Sequence, residues 1–530
     1  MKNGANTKNS RRHFFRNIGI LFLTYPFWEA CQKAVNVIKW RMLGANFSLG
    51  HRLLTQDFPP PSEEKSIKIL IIGAGITGLS ACRQLLKKGE KDFLLLEIDN
   101  KAGGNSASGE NEFTQFPLGA HYLPLPNLHD QVLIDFLAEE KIITHFDGKN
   151  EPVFEETFLA FAPQERLFIN HKWQEGLLPS HGVSEDSLTE IQRFFQKMDF
   201  FKNQKGSDGK YFFDVPLKNI SADKSYQHWD NITMKTWLLE QNFTSPELLE
   251  HVNYACLDDF GLGIENVSAW AGIHYFSARK NKNDNVLTWQ EGNGYLVKCL
   301  EKYAAGKILK QHLAYQITNN EKNVSVKIYN EKSDKSLIIN AEKVILATPQ
   351  FVNQRLLPSR KINLDAFHYA PWLVATLTLS EKLTSSSVAM CWDNVIFKGK
   401  GLGYINTQHQ HLAQKTAKNV ITYYCAFDGE DSLKIRRDLY KKSEQDWIKF
   451  IVKDLSQAHP NIESLIENVE IQLWGHGMIS PKPNFIFGEN RESAAKTIEN
   501  RIFFAHSDLS GMSLFEEAFH QGIDVVEKLL

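Results

Sequence analysis

From Ile67 onward the chain alternates between two apolar rhythms. "IKILIIG" (Ile67–Gly73) is a nearly unbroken apolar run of the length of a buried strand, and "FLLLEID" (Phe93–Asp99) is another. Between them "ITGLSACRQLLKK" (Ile76–Lys88) returns its apolar residues at helical spacing, so the three form a βαβ unit. A second region of this kind covers Gly292–Pro349, with a helix over "GYLVKCLEKYAA" and strands over "VSVKIYN" and "KVILATP". The final stretch, "SLFEEAFHQGIDVVEKLL", is an amphipathic helix. "QDFPPPSEEKS" (Gln56–Ser66) joins three prolines to a charged run and reads as a stiff exposed linker. The pattern predicts an α/β, three-layer Rossmann-like domain built from 67–125, 290–350 and 498–530. An α+β substrate domain is inserted twice, as 126–289 and 351–497, and 1–55 and the linker 56–66 precede both.

Gly73-Ala-Gly75-Ile76-Thr77-Gly78 follows the first strand and opens the helix. In such a turn the first glycine permits the tight bend and the second lets backbone approach a pyrophosphate. The third lets helix and strand pack closely, and the helix N-terminus supplies N–H donors. Glu97 ends the next strand, where a carboxylate accepts ribose hydroxyls. Soon after it come Gly103, Gly104 and Asn105, a second glycine turn that a nicotinamide fold does not need. Together with "PLGAHYLPLPN", which holds Gly119, Ala120 and His121, these blocks resemble the amine oxidase, phytoene desaturase and protoporphyrinogen oxidase superfamily of flavoproteins.

That resemblance implies non-covalent FAD, with the second turn lying along the cofactor and the Gly119–His121 segment reaching the flavin ring. "HLAYQI" looks like the adenine-side strand, with Ala314 where a valine is common. "RIFFAHSDLSGMSLFEEAFHQ" (Arg501–Gln521) looks like the closing motif, Asp508 or Ser507 filling the position of the family aspartate. Ser513-Leu514-Phe515-Glu516 reads as a capping box, and the resemblance implies that its helix points its N-terminus at the flavin. The resemblance implies oxidation of a small organic substrate, by amine oxidation or desaturation, with oxygen or a quinone as acceptor. A redox-neutral mutase or isomerase, or an FAD-binding protein without turnover, stays open beside it. Relatives that cage an amine between rings place one ring where this chain has Leu514.

"YACLDDFGLGIENVSAWAGIHYFSAR" (Tyr254–Arg279) is the densest run of chemistry in the insertions. Asp258, Asp259, His274, Tyr275 and Arg279 are candidates to line a substrate pocket, Arg279 by pairing an acidic group. On a strand the two adjacent aspartates would face opposite sides and share no proton. His121, with its segment at the flavin, and Arg279 are the candidate catalytic residues. His409 and His411 stand at strand spacing without a supporting ligand cluster, so no metal site is expected.

With 60 Lys and Arg against 62 Asp and Glu, no global charge favours nucleic acid. Six scattered cysteines without a C-x-x-C pair read as isolated thiols. "SRRHFFRNIGILFLTYPFW" (Ser10–Trp28) pairs Arg11-Arg12 with a short apolar run, about half the length a spanning helix needs. It resembles a bacterial twin-arginine export signal, whose translocase carries folded, cofactor-loaded cargo. The expected location is the periplasm or the periplasmic face of the inner membrane, with the cytoplasm as the alternative. "VNVIKWRML" (Val35–Leu43), with Lys39 and Arg41, reads as an interfacial helix for peripheral membrane contact.

Overall fold

In the computed structural model, residues 38–44, 46–281, 285–411 and 416–530 are described. Met1–Lys39 and Trp40–Leu530 cluster as separate units, and the second carries both large sheets and the helical cluster. The arginine pair and the apolar run behind it lie outside the described residues.

The first βαβ unit forms where the apolar rhythm places it. Strand β1 (Pro61–Ile72) is followed by helix α1 (Ile76–Lys87), and the strand Phe93–Leu96 returns parallel to β1. On its other side β1 pairs in parallel with the long strand β2 (Lys335–Leu346). The N-terminal part of β2 pairs antiparallel with Val324–Asn330, and its last residues, Val344–Leu346, pair in parallel with Ile502–Phe504. One seven-stranded sheet therefore draws on three distant stretches of the chain.

The linker expected over 56–66 is corrected from Pro61 onward. Pro61 pairs with Ser336 and Glu63–Ser66 with Leu337–Asn340. The charged residues Glu63, Glu64 and Lys65 stay exposed while their backbone is satisfied by β2. A polar stretch can be a strand when a partner already offers the hydrogen bonds.

The C-terminal helix, Phe515–Leu529, packs on α1 in the same hydrophobic cluster as Leu79, Leu85, Leu95 and Ile345. Gly522 makes this contact close. A methyl group there would lie 2.2 Å from Ser80 Oγ and Thr77 O. Thr77 Oγ1 donates to Ala518 O at 2.9 Å across the same interface. Phe519, Ile523 and Val526 are buried in that cluster, and such side chains contribute roughly 1.5–3 kcal/mol each.

The expected capping box is also corrected. Leu514 is the N-cap and no side chain caps the helix. Ser513 Oγ instead accepts from Ile479 N at 3.1 Å, and Glu516 is drawn away by Arg279. Tertiary partners have taken both capping groups.

The inserted stretches supply seven strands of an eight-stranded sheet, and most of a helical cluster. Helix α2 (Pro246–Phe260) and the helix Ala269–Ser277 belong to the cluster. The sheet is centred on β3 (Tyr369–Leu379), with Asn419–Ala426 on one side. Tyr404–Asn406, β4 (Asp393–Ile396) and Glu165–Ile169 continue outward from there. On the other side of β3 lies the long strand β5 (Ile466–Ile479). Several pieces of the stretches read as insertions pack with the seven-stranded sheet, among them Leu133, Ile134 and Phe136 on one face and Leu356, Phe367 and Ala494 on the other.

Lys39–Leu43 is a strand neighbouring β5, and Arg41 pairs with Glu470, so this part of the expected interfacial helix is not helical. Its exposed Trp40 and Met42 alternate with Arg41 as strand residues do. Among the described residues no helix is long and apolar enough to cross a membrane. Five cysteines, Cys82, Cys256, Cys299, Cys391 and Cys425, are free and buried.

Candidate functional site: a glycine cradle and an acidic, aromatic chamber

The two glycine turns lock together. Gly73 has φ +104°, a backbone state that side chains rarely adopt, and α1 begins at Gly75 without a side-chain cap. A methyl group on Gly78 would fall 1.9 Å from Gly73 O, whereas the space beside Gly75 is open. Gly103 (φ +131°) donates its N–H to Ala74 O at 2.9 Å and bridges Gly75. Asn105 O then accepts from Ala120 N at 2.9 Å, and a methyl group on Gly119 would come within 2.3 Å of that same oxygen. Asn105 Nδ2 donates to Gly477 O at the end of β5. Gly73–Gly78, Gly103–Asn105 and Gly119–His121 thus share one surface.

Glu97 lies at the end of its strand, buried, with Oε2 accepting from Ala74 N and Oε1 from Asp99 N, both at 2.9 Å. Burial pushes its carboxyl up to about 7, while those backbone donors pull the other way. Each oxygen keeps a lone pair for a hydroxyl. His312 N donates to Glu97 O at 2.9 Å, which sets the strand with buried Ala314 beside the glutamate.

In the closing block Asp508 is buried. Its Oδ2 accepts from Gln350 N (2.8 Å) and Tyr369 Oη (2.5 Å), and its Oδ1 lies 2.9 Å from His506 Nδ1. Ser507 is buried beside it and Leu514 packs into the helical core. Two helices, α1 and the C-terminal one, therefore begin without side-chain caps while packed on each other. Their first N–H groups remain available to an anion or an electron-rich edge. The glycine cradle, the open space at Gly75, the uncapped helix starts and Glu97 fit a dinucleotide flavin. FAD bound there supplies a hydride acceptor; the chain supplies binding, orientation and electrostatics.

Beyond the Gly119–His121 segment lies a chamber. The His121 ring stacks on Tyr424 with centroids 4.5 Å apart and lies 5.0 Å from Tyr122 and 5.7 Å from Trp392. Trp474 Nε1 donates to Leu118 O at 2.6 Å, fixing β5 to the same segment. Tyr122 Oη donates to Asp258 Oδ2 at 3.1 Å, and Tyr254 Oη to Asp393 Oδ2 at 3.5 Å. His121, Tyr122, Tyr254, Asp258, Asp259, Tyr275 and Asp393 lie deep in the protein, yet each is only half-buried, so they line internal space. Burial holds the His121 imidazole neutral, its pKa lowered to about 4. Burial likewise raises Asp258 to about 6, and burial with the neighbouring Asp258 charge raises Asp259 to about 8.

Asp258 and Asp259 stand on a helix, α2, and not on a strand. Adjacent residues there diverge by about 100°, close enough for one carboxylate to raise the other. Asp259 lies in the field of Arg279, whose guanidinium pairs with Glu516 at the start of the C-terminal helix. Arg279 is thereby committed inside the protein. His274 is a core residue, its Nε2 2.8 Å from Asp214 O. His409 Nε2 accepts from Phe161 N at 2.8 Å. Tyr122, Trp392, Asp393 and Tyr424 escape sequence reading, because three separate stretches of chain bring them to the run that opens at Tyr254. Tyr122, directly after His121, carries the one local signal.

The model of the family described as "Flavin containing amine oxidoreductase" matches residues 76–530. The chain belongs to the flavin-containing amine oxidoreductase family. FAD is accordingly its cofactor. Among curated proteins a corticosteroid-binding protein of Candida albicans is 24% identical over 304 residues, 55% of this chain and 54% of that protein. The chain thus spans about half the length of that relative. Putrescine oxidase, solved bound to putrescine, superposes with TM-score 0.63 at 14% identity, over 88% of this chain and 99% of that one. Cyclohexylamine oxidase from Brevibacterium oxydans gives 0.59 at 14%, over 87% and 98%. A fatty acid isomerase from P. acnes gives 0.61 at 15%, over 88% and 99%. These likenesses establish a shared fold.

Proposed function

We propose that this flavoprotein oxidises the carbon–nitrogen bond of a small amine, with oxygen or a quinone reoxidising the flavin. The carrying observation is the chamber next to Gly119–His121. It offers aromatic faces (Tyr122, Trp392, Tyr424), which attract cations, and the carboxylates of Asp258 and Asp393. A fatty-acid carboxylate would add a further acidic group beside Asp258 and Asp393, whose carboxyls burial already holds above their ordinary pKa, and Arg279 at its edge is held by Glu516. In this reading His121 is a neutral wall that orients the reacting end. Arg279 acts as a positioning residue, which fixes Asp259 and the start of the C-terminal helix. Anaerobic titration of the FAD-loaded protein with primary and secondary amines should bleach the oxidised-flavin absorbance. If fatty acids perturb the spectrum and no amine bleaches it, the isomerase alternative replaces this reading.

We also propose that Arg11-Arg12 address the folded, FAD-loaded protein to a twin-arginine translocase and hence to the periplasm. Cell fractionation of wild type and an Arg11→Lys/Arg12→Lys variant tests this. The variant should remain in the cytoplasm, and equal periplasmic yield would remove the idea.

A further inference from the structure

Water-facing apolar side chains are concentrated in one part of this protein. Of the thirteen large apolar side chains exposed among the described residues, six come from two short stretches: Trp40, Met42, Phe47, Leu54, Leu433 and Tyr440, each 42–60% exposed. In the helix Phe47–Thr55, Leu49 and Leu53 are buried in the core beside the seven-stranded sheet. Phe47, His51 and Leu54 stand at i, i+4 and i+7, on the opposite side of that helix. The helix Ser432–Leu439 repeats the pattern: Leu439 is buried, while Leu433, Arg437 and the C-cap residue Tyr440 form an outward stripe at the same spacing. The two stripes meet, with the Phe47 and Tyr440 rings 5.7 Å apart. Trp40 and Met42 share one face of the edge strand just ahead of the first helix. Leu49, Leu53 and Leu439 already seat both helices, so the outward stripes add nothing to the core. Contiguous apolar surface facing water is unfavourable and marks a contact face.

A second observation is independent of the apolar pattern. The whole chain carries 60 Lys and Arg against 62 Asp and Glu. Residues 432–442 hold Lys434, Arg436, Arg437, Lys441 and Lys442 against Asp438 alone, and residues 40–55 hold Arg41 and Arg52 with no acid. Asp431 is engaged as the N-cap of the second helix, accepting from Lys434 N at 2.8 Å. Arg41 is held by Glu470, and Arg436 donates to Tyr369 O at 3.4 Å. Lys434, Arg437, Lys441 and Lys442 stay exposed, flanking Leu433 and Tyr440. Rings and aliphatic side chains rimmed by bases match the surface of an anionic bilayer, where rings sit at headgroup depth and bases meet phosphates. A second copy of the chain docked on the same face would instead set one basic rim against another.

We propose that this face docks on an anionic lipid bilayer. Phe47, Leu54, Leu433 and Tyr440 enter the headgroup region, and Lys434, Arg437, Lys441 and Lys442 meet its phosphates. Such docking needs no spanning helix, and it is independent of the proposed amine oxidation and of export.

Flotation of the full-length holoprotein with vesicles tests this, using phosphatidylcholine alone and phosphatidylcholine with phosphatidylglycerol in equal parts. Wild type should partition at least about tenfold more strongly into the anionic vesicles, and added salt should weaken that binding. A basic residue at an anionic surface is worth about fivefold in partitioning, so Lys434→Gln/Arg437→Gln should lose about tenfold or more on anionic vesicles. Phe47→Ser/Leu54→Ser should weaken binding to the same vesicles by about tenfold through lost apolar contact. FAD content and Tm verify that both variants fold, and if one pair does not, the other decides. If both variants bind as wild type does, another segment, such as the apolar run Ile18–Trp28, carries the membrane affinity and the proposal falls. It falls equally if wild type floats with neither vesicle, or if sedimentation shows Phe47→Ser/Leu54→Ser abolishing a dimer while vesicle binding stays.

Discussion

Arg279 joins three parts of the site. It pairs with Glu516, lies in the field of Asp259, and belongs to the run that also carries Asp258 and Tyr275. Removing it leaves two buried carboxylates without a counter-charge, an effect of about 3–5 kcal/mol for a fully buried pair and somewhat less here. Arg279→Gln should therefore lower Tm by several degrees, and Arg279→Lys should recover part of the loss. Equal Tm for wild type and Arg279→Gln would show that Glu516 does not need it. At this scale the sequence is uneven as a guide. Gly73, Gly78, Gly103 and Gly119 are legible because each answers a local backbone demand, a positive φ or a contact under 3.1 Å. Asp393 and Tyr424 are not, since nothing within their own strands distinguishes them from sheet residues.

Among elements, the contact between α1 and the C-terminal helix sets the cradle. Gly522→Leu would drive a side chain into Thr77 O and Ser80 Oγ and tilt one uncapped helix start away from the other. Overpacking of this kind costs roughly 1–3 kcal/mol, and it should release FAD at concentrations where wild type retains it. Flavin fluorescence after gel filtration measures this, and unchanged FAD content would refute it. The helix itself is readable from its apolar spacing; its cap is not. Ser513 and Glu516 satisfy the local pattern of a capping box, but Ile479 N and Arg279 make stronger claims on them. The same competition turns the polar stretch Pro61–Ser66 into strand, because β2 offers it partners. Local pattern predicts what a segment can do alone, and a neighbour decides which option is used.

Over the whole molecule the buried titratable groups set a pH dependence. Glu97 and Glu517 are raised to about 7, and Asp259 to about 8, by burial first. Groups raised in the folded state contribute stability that is full below their unfolded pKa, near pH 4, and is lost as pH rises through about 7–8. Buried histidines work the other way. His121, His251 and His274 are lowered to about 4 by burial, so their contribution is complete above pH 6.5 and lost on acidification. Lys280, lowered to about 7 by burial, opposes the acids as a single group. The Tm of the FAD-free protein should thus fall between about pH 6.5 and 8.5, and Glu97→Gln should flatten that fall. A Tm that rises over this range would contradict the balance.

The bond from Thr77 to Ala518 joins residues 441 apart in sequence. Its consequence concerns the order of events during synthesis. A growing chain completes the glycine turn early, yet the helix that closes the cofactor site emerges only after both inserted stretches have been made. The nucleotide half of an FAD bound in the glycine cradle would have a surface to meet long before the flavin half does. Cofactor capture is then a late checkpoint, coupled to completion of the eight-stranded sheet and of the acidic chamber beside it. Molecules arrested before Ala518 would expose the apolar face of α1, the kind of surface that chaperones and proteases recognise. Retained flavin would report that the whole chain has closed.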